Sequence, residues 1–236
     1  MRVSIGGAFA AAICFTSLLP SAAFAGIIFD QQVDLADSNG LFSDADLPQE
    51  AADDFQLQPG AQTITDVHWW GGYGNSGTPT EPDAFTIRIF SDISGGPDTS
   101  PLMQIAVGNV GRVDTGIDSI IGFDVYAYSV QIAPLTLTAN TTYWLSILND
   151  TTADVDDHWG WNGLINSSGE LAYLRGGNPI SAWQSVDDRM AFQLTNDAEA
   201  IPEPASIALF AAGLAGLGCM SRRRKPANRS VDRPRS

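Results

Sequence analysis

Apolar and polar residues alternate at every second position through the middle of this chain, and this period restricts the fold more than any other feature. Phe85, Ile87 and Ile89 alternate with Thr86 and Arg88 in one such stretch. Successive side chains of a β-strand point to opposite faces, so a segment of this kind buries one face and exposes the other. Few stretches carry the helical period of about 3.6 residues, and no internal repeat is present. The sequence therefore predicts an all-β fold.

Short segments of this type recur along the chain, separated by Gly, Pro, Asn and Asp. The predicted strands cover residues 27–33, 54–58, 63–70, 85–89, 102–107, 123–132, 135–138, 143–148, 171–174 and 190–195. Gly-rich, Pro-containing segments at 94–97 and 176–179 predict turns between them. So many short strands with almost no helix favour an antiparallel β-sandwich of the jelly-roll type, with a β-barrel as the alternative.

The charge of the central region excludes one class of function. Residues 26–201 carry 25 acidic side chains against four arginines, which gives a formal charge of −21. Such a surface repels nucleic acid and anionic lipid, so we expect no nucleic-acid partner. Both cysteines, Cys14 and Cys219, lie outside this region, so its stability has to come from a buried core rather than from disulfides.

The first 25 residues have the three parts of a secretory signal peptide. Arg2 precedes an apolar run over residues 3–19, and the small residues Ala23 and Ala25 follow it. This pattern predicts cleavage by signal peptidase after Ala25, so that the outer domain begins at Gly26. A retained membrane anchor is the alternative; it is disfavoured because the apolar run is short and ends in Pro20.

A second apolar segment lies near the other end of the chain, between prolines and a basic cluster. Residues 205–220 are apolar or small, and the cluster at 222–225 consists of Arg222, Arg223, Arg224 and Lys225. A helix of this length barely spans a bilayer core of roughly 30 Å. The cations should remain cytoplasmic and leave everything before Pro202 on the far side. Pro202 and Pro204 keep the adjoining peptide extended and accessible to a membrane protease.

These parts, Pro202-Glu203-Pro204, the apolar segment and the arginine cluster in that order, resemble the PEP-CTERM sorting signal of Gram-negative bacteria. The resemblance covers residues 199–236. It implies recognition by an exosortase, a membrane transpeptidase-like enzyme, with transient membrane insertion of the C-terminal helix. It also implies delivery to the cell surface or extracellular matrix, often beside exopolysaccharide genes. The polar tail at 226–236 extends beyond the usual pattern, and an ordinary C-terminal anchor with a proline linker is the alternative.

The central region also resembles outer domains found upstream of this sorting signal. The resemblance extends from residue 53 to about residue 150 and rests on Asp53-Asp54-Phe55 and on residues 67–72, 85–89 and 142–147. It implies a sandwich and no assigned activity. The chain is accordingly divided into a signal peptide (1–25), an extracellular β-sandwich domain (26–198) and a sorting signal (199–236), with its motif at 202–204.

Both histidines stand beside tryptophans and glycines, in the sequences HWWGGYGN from residue 68 and HWGWNG from residue 158. Exposed aromatic rings with nearby polar groups are typical of sugar-binding surfaces. The predicted sugar-binding residues are His68, Trp69, Trp70, Tyr73, Trp159 and Trp161, with exopolysaccharide as the partner. In the alternative interpretation the tryptophans pack between the sheets and the glycines serve turns.

One acidic loop offers several carboxylates for calcium, which takes six to eight oxygen ligands. Its candidate ligands are Asp150, Asp154, Asp156 and Asp157. The spacing does not fit an EF-hand, and a solvated acidic loop is the alternative. No other cofactor is predicted.

Motifs for catalysis are not found. The sequence contains no G-x-S-x-G elbow and no H-E-x-x-H pair, and the outer region has no cysteine nucleophile. A glycosidase needs two carboxylates across a cleft, which a sequence cannot locate. We therefore expect a non-enzymatic surface or matrix protein. A carbohydrate-binding module is the first alternative, and a polysaccharide hydrolase is the least favoured.

Overall fold

The computed structural model describes residues 26–32, 34–74, 79–153, 157–165, 169, 171–177 and 181–196. The chain divides into two compact units, and all described residues belong to the unit Phe24–Ala198. The predicted signal peptide, the apolar segment at 205–220 and the basic cluster lie outside the described residues. Within the described ranges, no helix has the length and apolar character needed to cross a membrane.

The described part of the chain is built from β-strands joined by turns. The strands are β1 (Gly26–Gln31), β2 (Asn39–Phe42), β3 (Gln49–Gln56), β4 (Thr63–Tyr73), β5 (Phe85–Ser91), β6 (Met103–Gly108), β7 (Val113–Asp118), β8 (Asp124–Thr136), β9 (Thr142–Leu148), β10 (Trp159–Ile165), β11 (Ala172–Gly176), β12 (Gln184–Val186), β13 (Asp188–Met190) and β14 (Phe192–Asn196). A 3-10 turn at Leu35–Asp37 precedes β2, and the side chain of Asp34 accepts a hydrogen bond from the Ala36 N–H.

These strands form two antiparallel sheets that pack as a sandwich, as the alternation predicts. The first sheet has eight strands: the path β1-β14-β4-β10-β13, with β8 beside β4, β7 beside β8 and β2 beside β10. The second has six strands in the order β12-β11-β3-β9-β5-β6. The fold is therefore all-β, with two separate sheets rather than one closed sheet.

The core lies between the two sheets and follows the period of two. In β5, Phe85, Ile87 and Ile89 are buried while Thr86 and Arg88 are only half-buried. Other fully buried members are Phe55, Ile64, Val67, Trp69, Leu145, Ile147, Trp159, Trp161, Phe192 and Leu194. Each large apolar side chain contributes about 1.5 to 3 kcal/mol when it is removed from water, so a core of this size can stabilise a domain without disulfides.

Strand β4 is the centre of the first sheet and positions the residues considered below. Its residues 63–71 pair with β8 on one side. On its other side, Asp66 to Trp69 pair with β14, and Gly71 to Tyr73 pair with β10. One strand therefore joins three neighbours.

Strand β8 joins two segments that the apolar alternation predicts as separate strands. Its pairing with β4 shifts register between Ile64 and Asp66, opposite the segment that contains Pro134. Proline lacks an N–H, so it is tolerated in a sheet where a bulge interrupts the ladder. The proline therefore marks a bulge within one long strand rather than a break between two.

Candidate functional site

The two His-Trp clusters, far apart in sequence, lie side by side in the first sheet. Strand β10 pairs with β4 so that Trp159 opposes Tyr73, Gly160 opposes Gly72 and Trp161 opposes Gly71. The structure therefore brings together the residues that the sequence predicts for sugar binding. What they can do depends on which face of the sheet they occupy.

Four aromatic rings of these clusters point into the core. Trp69, Trp159 and Trp161 have no exposed surface, and Tyr73 is 5% exposed. This burial contradicts the prediction that these four rings form a sugar-stacking surface, because a ring enclosed between two sheets cannot contact a sugar. Gly71 explains part of the packing, since a Cβ at this position would overlap the Trp159 ring.

The remaining two predicted residues, His68 and Trp70, lie on the outer face of β4 and are half-buried. His68 stands between Ser129 of β8 and Gln193 of β14. Trp70 lies opposite Ala127. These two side chains are accessible in part, but neither lines any of the cavities of the described residues considered below.

Two glycines of the same clusters, Gly72 and Gly160, occupy the outer face, where they line the floor of a cleft. Gly72 and Gly160 are paired neighbours in β4 and β10, and Phe42 of β2 pairs with Gly160 on its other side. The cleft has a volume of about 120 Å³. Its lining residues are Asn39, Gly40, Phe42, Gly72, Tyr73, Gly74, Ser119, Ile121, Phe123, Asp124, Gly160 and Asn162. The sequence does not predict this site, because the sugar-binding prediction rests on the aromatic rings. It treats the glycines only as small residues that leave room beside those rings.

The predicted calcium loop is anchored by a carboxylate that the sequence pattern does not single out. Asp44 is fully buried and accepts hydrogen bonds from the Thr151 hydroxyl at 2.8 Å and from the Trp159 N–H at 2.6 Å. Asp150 is exposed and accepts bonds from the N–H and hydroxyl of Thr152. Asp44 therefore holds both ends of the loop in place.

The predicted calcium ligands are only partly placed by the structure. Asp157 is 8% exposed, and Asp154 and Asp156 lie outside the described residues. Among the residues that are described, no group of three or more acidic, histidine or cysteine side chains could hold a metal ion. Calcium at this loop stays a prediction.

A buried charged network lies next to the same loop. Asp83 is 5% exposed; its Oδ2 accepts a 2.8 Å bond from Arg112 Nε, and its Oδ1 accepts bonds from the Tyr73 hydroxyl and the Asn149 amide. Arg112 also donates to the backbone carbonyls of Pro79 and Glu81 and lies 4.9 Å from the centre of the Tyr73 ring. Burial is the main reason that the pKa of Tyr73 is raised above its usual value, so the hydroxyl stays protonated and donates.

A larger cavity, of about 600 Å³, opens where the two sheets meet at Asp53. The carboxyl of Asp53 is 3% exposed. Its Oδ2 accepts bonds from the Met190 N–H at 2.6 Å and from the Gln31 amide at 2.5 Å, and its Oδ1 accepts one from the Asp54 N–H. Burial raises the pKa of Asp53 to about 8, although the backbone donors act in the opposite direction. Asp53 therefore joins β3 of one sheet to β1 and β13 of the other.

The outer face of the second sheet carries a further network that sequence reasoning misses. Glu50 is 2% exposed and accepts from Arg88 at 2.8 Å and from Arg175 at 2.7 Å. The Arg175 guanidinium also lies over the Trp183 ring, 4.3 Å from its centre. This contact covers one face of a half-buried tryptophan and removes it as a stacking platform.

Comparison with known families identifies the domain. The family described as a domain of unknown function, DUF7901, matches residues 27–186. The chain belongs to the DUF7901 family. Apart from Arg189, every residue that lines the cavities described above falls within this DUF7901 match.

The predicted sorting signal of this DUF7901 protein is confirmed as a motif. The PEP-CTERM protein-sorting motif matches residues 200–225, which include Pro202, Glu203, Pro204 and the three arginines. This motif supports recognition by an exosortase and export to the cell envelope or surface. Ala23, Ala25 and the signal peptide lie outside the described residues, and their role stays a prediction.

One solved structure similar to the DUF7901 protein is the crystal structure of the cysteine protease and lectin-like domains of Cwp84, a surface layer associated protein of Clostridium difficile. The two are 10% identical, with a TM-score of 0.41. The alignment covers 68% of this chain and 36% of the other, so the DUF7901 protein spans about a third of that chain's length. No curated protein matches the sequence.

Proposed function

We propose that this DUF7901 protein is an exported surface or extracellular-matrix protein that functions by binding rather than by catalysis. The observation that carries the proposal is the PEP-CTERM motif at residues 200–225, which begins four residues after the last strand, β14. A sorting signal placed directly after the sandwich directs this domain to a location outside the inner membrane. The proposal includes removal of the signal peptide after Ala25 and processing near Pro202-Glu203-Pro204.

The membrane stage of this pathway is brief. The apolar segment at 205–220 is at the short limit for a membrane-spanning helix, and the basic cluster at 222–225 opposes its translocation. The segment inserts, presents the proline-flanked peptide to the exosortase and is then removed. The final location is the cell surface or the matrix.

The proposal of a non-enzymatic role is supported by the bonding of the buried carboxylates. Asp44, Asp83 and Glu50 are each held by several donors from neighbouring strands and loops. Asp53 and Asp54 are adjacent in β3, so their side chains leave opposite faces of the strand, although both line the cavity of about 600 Å³. Glycoside hydrolysis needs two carboxyl groups that face the same bond, whereas Oδ2 of Asp53 already accepts bonds from the Met190 N–H and the Gln31 amide.

Replacing Pro202, Glu203 and Pro204 by alanine tests the sorting proposal. We expect the variant to accumulate in the membrane with its C-terminal residues attached, whereas the unchanged protein is recovered outside the cell with a smaller intact mass. The matched control replaces Pro226 and Asn228 by alanine, outside the motif. The proposal is wrong if the variant and the unchanged protein share the same mass and location, or if exported protein retains Arg235 and Ser236.

A hydrolase assay tests the second part of the proposal. Purified exported protein is incubated with the matrix polysaccharide of its host, and the release of reducing ends is measured. We expect no release above the rate of a sample inactivated by heat. Release that is abolished by Asp53→Asn would instead favour the polysaccharide hydrolase.

A further inference from the structure

Gly160 has no packing reason to be glycine. A glycine in the middle of a strand costs roughly 0.5–1 kcal/mol relative to alanine. At Gly40 and Gly72 a Cβ would come within 2.6 and 2.5 Å of backbone oxygens, so these positions require glycine. At Gly160 the nearest atoms would be 3.8 Å away, which is an ordinary contact. A glycine inside a strand often marks a bulge, a bend, or a place where a ligand or another backbone approaches closely. Gly160 pairs regularly with Gly72 and Phe42, which leaves approach of a ligand as the reason.

The walls of the cleft above Gly160 combine apolar and polar groups. Phe42 is 39% exposed and Ile121 is 54% exposed, so two large apolar side chains of the lining are accessible to a ligand. Asn39 and the exposed carboxylate of Asp124 supply hydrogen-bonding groups at the same opening. Sites for small ligands are typically apolar with a few polar groups that orient the ligand.

Size and charge restrict what this cleft can take. Its volume of about 120 Å³ accommodates one ring rather than an extended ligand. The formal charge of −21 on residues 26–201 disfavours anionic ligands and also a second copy of the same domain. A pyranose has apolar C–H faces, which match the glycine floor and the apolar wall of the cleft. Its hydroxyls lie at the edge of the ring, where they match the polar groups of Asn39 and Asp124.

We propose that the cleft floored by Gly160 binds one pyranose unit of a neutral polysaccharide, with a methyl or acetyl substituent of the sugar against Phe42 and Ile121. The proposal rests on the proposed function, because it names the matrix partner of a surface protein. The Asp124 carboxylate accepts hydrogen bonds from the sugar hydroxyls, and the Asn39 amide donates to them. The site is formed by the glycines of the two His-Trp clusters rather than by their buried tryptophan rings.

Calorimetric titration of the purified exported protein tests this site. The probes are L-rhamnose, which has a methyl group, and N-acetylglucosamine, with glucose and galacturonic acid for comparison. We expect rhamnose or N-acetylglucosamine to bind at least tenfold more tightly than glucose, and galacturonic acid not to bind. Gly160→Val, which fills the cleft, should weaken binding at least tenfold.

Two further variants keep the test informative. Phe42→Ala and Asp124→Asn should each weaken binding several-fold, and they serve if Gly160→Val does not fold. Ser185→Val adds the same side chain to an exposed position of β12 in the other sheet, and it should leave binding unchanged.

Three outcomes overturn the proposal: no sugar binds, Gly160→Val binds as tightly as the unchanged protein, or the cleft binds apolar peptides instead of sugars. Failure of this site and failure of the proposed function are distinguishable, because processing and location of the protein are measured separately from sugar binding.

Discussion

Arg112 donates its Nε–H to Oδ2 of Asp83 at 2.8 Å, and this pair joins the chain before β5 to the loop before β7. Asp83 has 1% of its side chain exposed, whereas Arg112 retains 18%. The same guanidinium holds the carbonyls of Pro79 and Glu81. One arginine thus supplies the positive charge for a buried carboxylate and fixes the backbone beside it.

Arg112→Ala should lower the free energy of unfolding by about 3 kcal/mol, because removal of one partner leaves an uncompensated buried charge. Chemical denaturation monitored by tryptophan fluorescence measures the loss. Arg88→Ala is the matched control, since Glu50 keeps its bonds to Arg175 after that change. Equal losses for the two variants would contradict the special role of the Arg112 pair.

Gly71→Ala and Gly160→Ala, at neighbouring positions of paired strands, should have opposite effects. A Cβ added at position 71 would overlap the Trp159 ring, which we expect to cost roughly 2 kcal/mol or more. A Cβ added at position 160 meets no close atom, so this variant should be unchanged or up to about 1 kcal/mol more stable. Thermal melting of both variants measures the difference, and a destabilised Gly160→Ala would show that Gly160 has a packing role after all.

Asp53 should make stability depend on pH in an unusual direction. Its pKa is about 8 in the folded protein, whereas that of an unperturbed aspartate is 3.8. Between these values the folded state therefore binds a proton that the unfolded state releases. This contribution is complete below about pH 4 and is lost as the pH rises to 8, with an upper limit of about 6 kcal/mol. Because the domain contains other buried carboxylates, the contribution of Asp53 has to be isolated by comparing the unchanged protein with a variant that lacks this carboxyl.

Asp53→Asn removes the titrating group and isolates this effect. From pH 5 to pH 8 the unchanged protein should lose stability relative to Asp53→Asn, as measured by urea unfolding at each pH. Asp54→Asn, which alters the outward neighbour, is the control. A stability difference between the unchanged protein and Asp53→Asn that does not vary with pH would mean that Asp53 is ionised throughout.

Asp44→Ala should lower the free energy of unfolding by about 3 kcal/mol, because the Thr151 hydroxyl and the Trp159 N–H lose a buried acceptor. Thr151→Val removes one of these donors and should cost about 1 kcal/mol. Hydrogen exchange of residues 150–153 should accelerate in Asp44→Ala more than in Thr151→Val. The reverse order would contradict the role of Asp44 as the anchor of the loop.

The period of two in the sequence predicts the sandwich because half-buried strands obey it, as residues 85–89 of β5 do. The same period also explains why the sugar-binding prediction is wrong for four of its aromatic rings. Trp69, Gly71 and Tyr73 stand at alternate positions, so they share one face, and Trp159 and Trp161 do likewise. Composition alone selects these rings for sugar binding, whereas the face they occupy decides what they can contact.

The buried carboxylates could not be found in the sequence. Asp44, Asp53 and Asp83 resemble any other acidic residue of this acid-rich chain, and their partners are distant in sequence. The Met190 N–H reaches Asp53 because the two sheets pack against each other, and the Trp159 N–H reaches Asp44 because β10 pairs with β2. The strands β2, β7, β10 and β12 also escape prediction, because they are short, rich in glycine or exposed, and so lack the apolar alternation.

The first strand of the sandwich lies against its last, with Gly26 opposite Asn196. The first sheet is therefore complete only when almost the whole outer region is available, which makes closure of the sandwich a late step of folding. A chain that lacks its final strand leaves the adjoining positions of β1 and β4 without their neighbour. Completion of the first sheet and the start of the sorting motif at residue 200 are thus separated by only a few residues of chain.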